Sequence, residues 1–211
     1  MNDFTKLFAT TNLDYGNTAL RNRKLQTNLD QNVLKKAARI KLLLTDCDGV
    51  LTDAGVYYGE NGEVLKKFNI RDGMGVERLR KLANVDTGII TGETSPSVVA
   101  RAAKLKITEL HLGCKDKLAL LPDILTRTGL DASEVAFIGD DVNDLEIQQA
   151  IGFSACPADA ARQNKAIVDY CCNAKGGEGC LRELAELIID AKQIISKQPT
   201  AIPAIYENHY T

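Results

Sequence analysis

The chain has 211 residues, 45% of them hydrophobic and 26% charged, with a formal net charge of -2. That is room for one well-cored domain with tails, and the near-neutral balance excludes the broad basic surface that binding to nucleic acid or an anionic membrane requires. No apolar run approaches the ~20 residues of a membrane-spanning helix, and the N-terminus lacks a basic stretch followed by an apolar one, so a cytoplasmic location is expected.

Residues 1–28 are polar and without periodicity and read as a flexible N-terminal tail. Leu29–Ile40 has helical spacing, and KLLLTD after it is a short, uniformly apolar, buried strand. Val56–Phe68 places two strand-like pieces around Gly-Glu-Asn-Gly, the chemistry of a hairpin. Gly73–Ala83 is helical, Thr87–Gly92 a strand, and Ser95–Ile107 a helix with a Ser-Pro start. Lys115–Leu130 reads as one helix despite Pro122, Glu134–Asp141 as a strand ending on acids, and Asn143–Gly152 as a helix. A short strand, then a helix and a last strand through Cys172, precede Gly176–Lys192, a glycine loop that opens a long amphipathic helix. Residues 193–211 read as a second tail. Alternation of strand and helix predicts a doubly wound parallel α/β sheet over a single domain, 29–192, carrying a small hairpin flap. The six cysteines show no CxxC spacing and read as reduced thiols, with Cys47 a small apolar filler.

Three apolar strands end alike, in LLLTDCD, GIITGE and VAFIGDD. In open α/β sheets ligands bind outside the carboxyl ends of strands, so Asp46, Asp48, Thr91, Asp140, Asp141 and Asp144 are expected on one rim. Carboxylates so concentrated call for a cation, and hard oxygen ligands suit Mg²⁺. Asp46 can then attack phosphorus to form an aspartyl-phosphate. Asp48 shares its side in extended chain, where it can protonate a leaving oxygen and later accept a proton from water. Gly49 permits the tight turn, while the Thr91 hydroxyl and the Lys117 ammonium neutralise phosphoryl oxygens.

The segments DCDGVLTD, IITGE, the lysine of KDKL and GDDVND resemble the four motifs of the haloacid dehalogenase superfamily of phosphatases, over about Ala37 to Ala191. The resemblance implies Asp46 as nucleophile, Asp48 as general acid/base and Mg²⁺ ligand through its backbone carbonyl, Thr91 and Lys117 as phosphoryl binders, Asp140 as metal ligand, and Asp141 and Asp144 as auxiliary acids. The intervals between motifs leave no room for a cap domain. Together with FNIRDGMG and GGEG, the motifs resemble the phosphatases of 2-keto-3-deoxy sugar acids. That branch implies a homotetramer in which a neighbour's hairpin and tail close the site, bringing Gly176, Gly177 and Arg182 to the substrate region.

Octulosonate 8-phosphate phosphatases typically have Arg after the second-motif Thr-Gly, where this chain has Glu93. Glu93 with Lys104 resembles the nine-carbon branch, so 2-keto-3-deoxynononate 9-phosphate is the expected substrate. The eight-carbon ester, a lipopolysaccharide sugar precursor, is the alternative. A non-catalytic oligomerisation domain of the same fold is disfavoured because Asp46 and Asp48 are both present.

Overall fold

The computed structural model describes residues 30–197. The expected tail over 1–28 and the residues beyond 197 lie outside the described residues, and the compact unit begins at Asn32. In chain order the elements are α1 (Gln31–Arg39), β1 (Leu42–Thr45), β2 (Val56–Gly59), β3 (Gly62–Lys66), α2 (Ile70–Ala83), β4 (Asp86–Ile90), α3 (Pro96–Leu105) and β5 (Glu109–His111). There follow α4 (Leu121–Thr128), β6 (Val135–Ile138), α5 (Leu145–Ala150), β7 (Phe153–Cys156), α6 (Arg162–Ile167), β8 (Tyr170–Cys171) and α7 (Cys180–Lys197).

Strand β1 is central. Leu42 to Thr45 run parallel to Asp86–Ile89 on one side and to Val135–Ile138 on the other. The sheet order is β5-β4-β1-β6-β7-β8 with every neighbouring pair parallel. After β1 the chain builds outward through β4 and β5, then crosses back to β6. This reversal is a topological switch point, and it opens a crevice at the carboxyl end of β1.

All four β1 residues are buried, as expected of a parallel strand covered on both faces. Leu42 and Leu44 pack with Ile90, Val135 and Phe137, and with Ile124 of α4 and Ile147 of α5. Leu43 alternates to the opposite face, where α2 lies against both β4 and α7.

The observed boundaries differ from the sequence reading in several places, three of which follow. Helix α2 starts at Ile70 rather than Gly73, because the Asn69 side chain accepts from Arg71 N at 2.8 Å and caps it. The helix expected over Lys115–Leu130 is divided into a 3₁₀ turn, Leu118–Leu120, and α4. Pro122 lies in the first turn of α4, where its missing N–H has no intrahelical partner to lose. Helix α7 runs to Lys197, past the expected domain end at 192.

The glycine loop before α7 supports the turn that follows β1. Gly177 N donates to Val50 O at 2.9 Å, and Asn69 Nδ2 donates to Gly177 O at 2.9 Å. A Cβ on Gly176 would stand 1.9 Å from Gly49 O, so only glycine lets the two backbones approach this closely.

Asp72 ties α2 to the first turn of α7 by accepting from Arg182 N at 2.9 Å. It is 1% exposed, and burial pushes its carboxyl up to about 6, against the pull of the Arg182 amide and the Arg101 guanidinium. Between the ordinary carboxyl range and about 6 the folded state holds a proton that the unfolded chain has released, so stability falls as pH rises through that window. At ~1.4 kcal/mol per pH unit, we expect the stability of wild type relative to Asp72→Asn to fall by about 3 kcal/mol between about pH 4 and pH 7. Urea unfolding of both proteins at the two pH values measures this, and a pH-independent difference would refute it.

Candidate active site

The carboxyl ends of β1, β4 and β6 lie side by side and deliver Asp46, Thr91 and Asp140 to one rim. Asp46 N donates to Ile138 O at 2.9 Å, which locks the start of the turn to β6. Lys117, from the loop ahead of α4, reaches into this rim with its side chain 1% exposed. Its Nζ stands 2.8 Å from Asp46 Oδ1 and 2.5 Å from Asp144 Oδ1, over the Phe137 ring at 5.6 Å. The other oxygen of Asp144 accepts from Asp140 N at 3.0 Å.

Carboxylate oxygens of Asp46, Asp140 and Asp144 all lie within 4.8 Å of one another. Burial, then the charges of Asp46, Asp144 and Asp141, push Asp140 up to about 8. Burial raises Asp46 to about 6 even though Lys117 pulls it down, and raises Asp144 as well. Burial disfavours the charge of Lys117, but the Asp46 and Asp144 carboxylates more than offset this and raise it. One ammonium does not balance three carboxylates, and a hard divalent cation fits the oxygen donors that remain. The backbone makes room for this cluster: Gly49 has φ 87°, and a Cβ there would stand 2.1 Å from Asp140 Oδ2.

Asp48 is outside the three-carboxylate cluster. Its Oδ1 meets Lys66 Nζ at 2.6 Å and Thr52 Oγ1 at 3.4 Å. Its side chain is therefore not among the grouped metal donors, and any ligation by Asp48 falls to its backbone carbonyl, as the resemblance implies. The Thr91 hydroxyl is buried at the rim and accepts from Glu93 N at 3.2 Å. Asp141 is exposed and caps the 3₁₀ turn Val142–Asp144 by accepting from Val142 N at 2.7 Å. Cys47 is fully buried, and burial with the Asp48 and Asp46 charges pushes its thiol well above the ordinary range. It fills space, as expected.

The expected substrate residues separate. Glu93 is exposed beside Thr91, on the rim. Lys104 is in the last turn of α3, eight residues past Pro96 and so ~12 Å along the helix from its rim end. Gly176 and Gly177 pack on the backbone of residues 49–53, so within the chain their work is support of the turn after β1. Arg182 Nε pairs with Glu186 Oε1 at 2.8 Å, alongside Arg78.

Lys66, Glu63 and Ser95 were not singled out from the sequence. A signal existed in the Lys66–Lys67 pair: adjacent strand residues point to opposite faces, so one of the two faces inward. A cavity of about 510 Å³ lies at the amino ends of β1 and β4, lined by Lys41, Arg80, Lys106 and Lys192 among others. Arg80 there caps the Leu105 and Lys106 carbonyls, and Lys192 the Ala38 carbonyl, so these cations serve helix ends.

Comparison with known proteins agrees with this geometry. The family model for haloacid dehalogenase-like hydrolase matches residues 97–184. The 3-deoxy-D-manno-octulosonate 8-phosphate phosphatase KdsC of Escherichia coli is 38% identical over 161 residues, 76% of this chain and 85% of the relative. The crystal structure of the phosphatase of that name from Yersinia pestis superposes with a TM-score of 0.76 at 37% identity, over 80% of this chain and 91% of the other. The Moraxella catarrhalis structure, in complex with magnesium ion, phosphate ion and KDO, gives a TM-score of 0.74 at 35% identity, over 79% and 96% of the two chains.

Replacing Lys117 leaves Asp46 and Asp144 facing each other without their cation. Breaking a buried pair on one side costs ~3–5 kcal/mol, and we expect Lys117→Met to lose that much in urea unfolding in the presence of EDTA. Adding Asp46→Asn removes one of the stranded charges and should recover part of the loss. Strictly additive effects of the two substitutions would show that the pair is not coupled.

Proposed function

Because the chain belongs to the haloacid dehalogenase-like hydrolases and is a phosphoric monoester hydrolase, we propose that it cleaves the phosphate from 3-deoxy-D-manno-octulosonate 8-phosphate with Mg²⁺ as cofactor. The observation that carries the chemistry is the buried Lys117 bridging Asp46 and Asp144 at the switch point. The substrate rests on identity to octulosonate phosphatases over most of the chain. The nine-carbon ester expected from Glu93 and Lys104 gives way to the eight-carbon one, because the relatives carry the eight-carbon name.

In this reading Asp46 Oδ2 attacks phosphorus while Lys117 holds Oδ1. Thr91 and Lys117 offer donors to the phosphoryl oxygens. Asp48 gives a proton to the sugar oxygen and takes one from the water that hydrolyses the aspartyl-phosphate. Asp46 and Asp140 would hold Mg²⁺ with the Asp48 carbonyl, and the bound ion neutralises carboxylate and phosphoryl charge. Specificity beyond the phosphate requires a cover that a capless chain lacks. The hairpin exposes Tyr57 at 61%, Tyr58 at 75%, Val64 at 57% and Leu65 at 58%, and an isolated two-stranded hairpin is marginal in water. Both facts favour a homotetramer in which hairpins pair between copies.

Asp46→Asn is expected to abolish turnover with the fold intact, and EDTA to silence the wild type until Mg²⁺ is added back. Activity surviving either treatment would reject the mechanism. Side-by-side kcat/KM for the two sugar-acid esters should favour the eight-carbon ester. A preference of tenfold or more for the nine-carbon ester, ~1.4 kcal/mol, would reinstate the Glu93-based reading. Light scattering is expected to give a tetramer mass, and a monomer would remove the hairpin-pairing proposal.

A further inference from the structure

The hairpin carries one side chain that does not belong to its surface. Val64 and Leu65 of β3 are exposed, yet the Lys66 side chain next to them has 0% exposure. Its ammonium stands 2.6 Å from Asp48 Oδ1 and 3.2 Å from Glu63 Oε2. The Ser95 hydroxyl donates to the other oxygen of Glu63. Ser95 caps the start of α3, directly after the Thr91–Thr94 turn. One chain of polar contacts thus joins the phosphoryl-binding turn, the flap and the proposed acid.

The contacts on Asp48 fall on one oxygen. Lys66 and Thr52 both engage Oδ1, while Oδ2 is buried without a hydrogen-bond partner among the described residues. A buried ammonium costs several kcal/mol unless it is paired, and a polar oxygen left buried and unpartnered carries its own penalty. A fold that meets both costs at one residue has fixed which oxygen is held and which is left free to meet a partner.

We propose that Lys66 is a positioning residue for Asp48, pinning Oδ1 so that Oδ2 carries the transferred proton. This rests on the reading of Asp48 as the acid and base of the phosphatase. In the first step Asp46 bonds to phosphorus, the bond from phosphorus to the sugar oxygen breaks, and that oxygen takes its proton from Asp48 Oδ2. In the second, water attacks the aspartyl-phosphate, gives a proton back to Oδ2, and Asp46 leaves as carboxylate with inorganic phosphate released. Throughout, Oδ1 remains the acceptor of the Lys66 hydrogen bond. Because Lys66 is part of the flap, docking of the hairpin and aim of the acid are one event.

The test uses leaving groups of different basicity. An alkyl ester needs a proton on its departing oxygen, whereas p-nitrophenolate departs without one. The parameter kcat/KM reports steps only through departure of the alcohol, so the later role of Asp48 as base does not enter. General acid catalysis contributes ~10²–10⁴-fold. Lys66→Met should lower kcat/KM for the octulosonate ester about 100-fold, and for p-nitrophenyl phosphate less than about threefold. Glu63→Gln, which keeps Lys66 but loosens its second anchor, should show the same selectivity at smaller amplitude, and it decides the matter where Lys66→Met does not fold. An equal fall for both substrates in a folded variant, or no fall for either, overturns the proposal. Failure of the phosphatase reading is seen separately, as activity that survives Asp46→Asn.

Discussion

The ammonium of Lys117 between Asp46 and Asp144 is the interaction on which the rest of the site depends. Parallel strands deliver acids to one rim at the switch point, and burial there makes each charge costly. Lys117 offsets part of the charge of Asp46 and Asp144 and leaves the remainder for a divalent ion, while burial first, and then the neighbouring acids, push Asp140 up to about 8. The same ammonium sits on the Phe137 ring, so a strand residue of the core also fixes the height of the charge above the sheet.

Close backbone approach is the second constraint. Gly49 makes room for the Asp140 carboxylate, and Gly176 makes room for Gly49. The turn after β1 is therefore sandwiched between β6, which holds Asp46 N, and the glycine loop, which holds Val50 O. Asn69 couples that loop, and Asp72 the first turn of α7, to the start of α2. The segment FNIRDGMG thus links the flap to the turn it covers. A long amphipathic helix, α7, then anchors the assembly against α2 on one face of the sheet.

The flap itself divides into an inner and an outer surface. Lys66 and Glu63 face inward to Asp48 and Ser95, while Tyr57, Tyr58, Val64 and Leu65 are exposed. A hairpin with so little packing of its own is held by this polar anchor and by whatever covers its apolar side. The inward-facing Lys66 that meets Asp48 and the exposed apolar side chains are therefore carried on one short element.

The lysine in KDKL was legible through the resemblance to known motifs, whereas the sequence by itself determined the parallel α/β class and the rim that carries Asp46, Thr91 and Asp140. These follow from local rules: apolar runs that stop on acids, alternation of strand and helix, and side-chain period. What only the tertiary structure decided concerns contacts between segments far apart in the chain. Asp144 turned out to share Lys117 directly with Asp46, although its place in GDDVND suggested an auxiliary cap. Gly176 and Gly177 proved to be spacers for a backbone more than a hundred residues earlier. Lys66 was hidden for the same reason: periodicity says that one of two adjacent lysines faces inward, but only the fold of the flap over β1 says that Asp48 is what it meets.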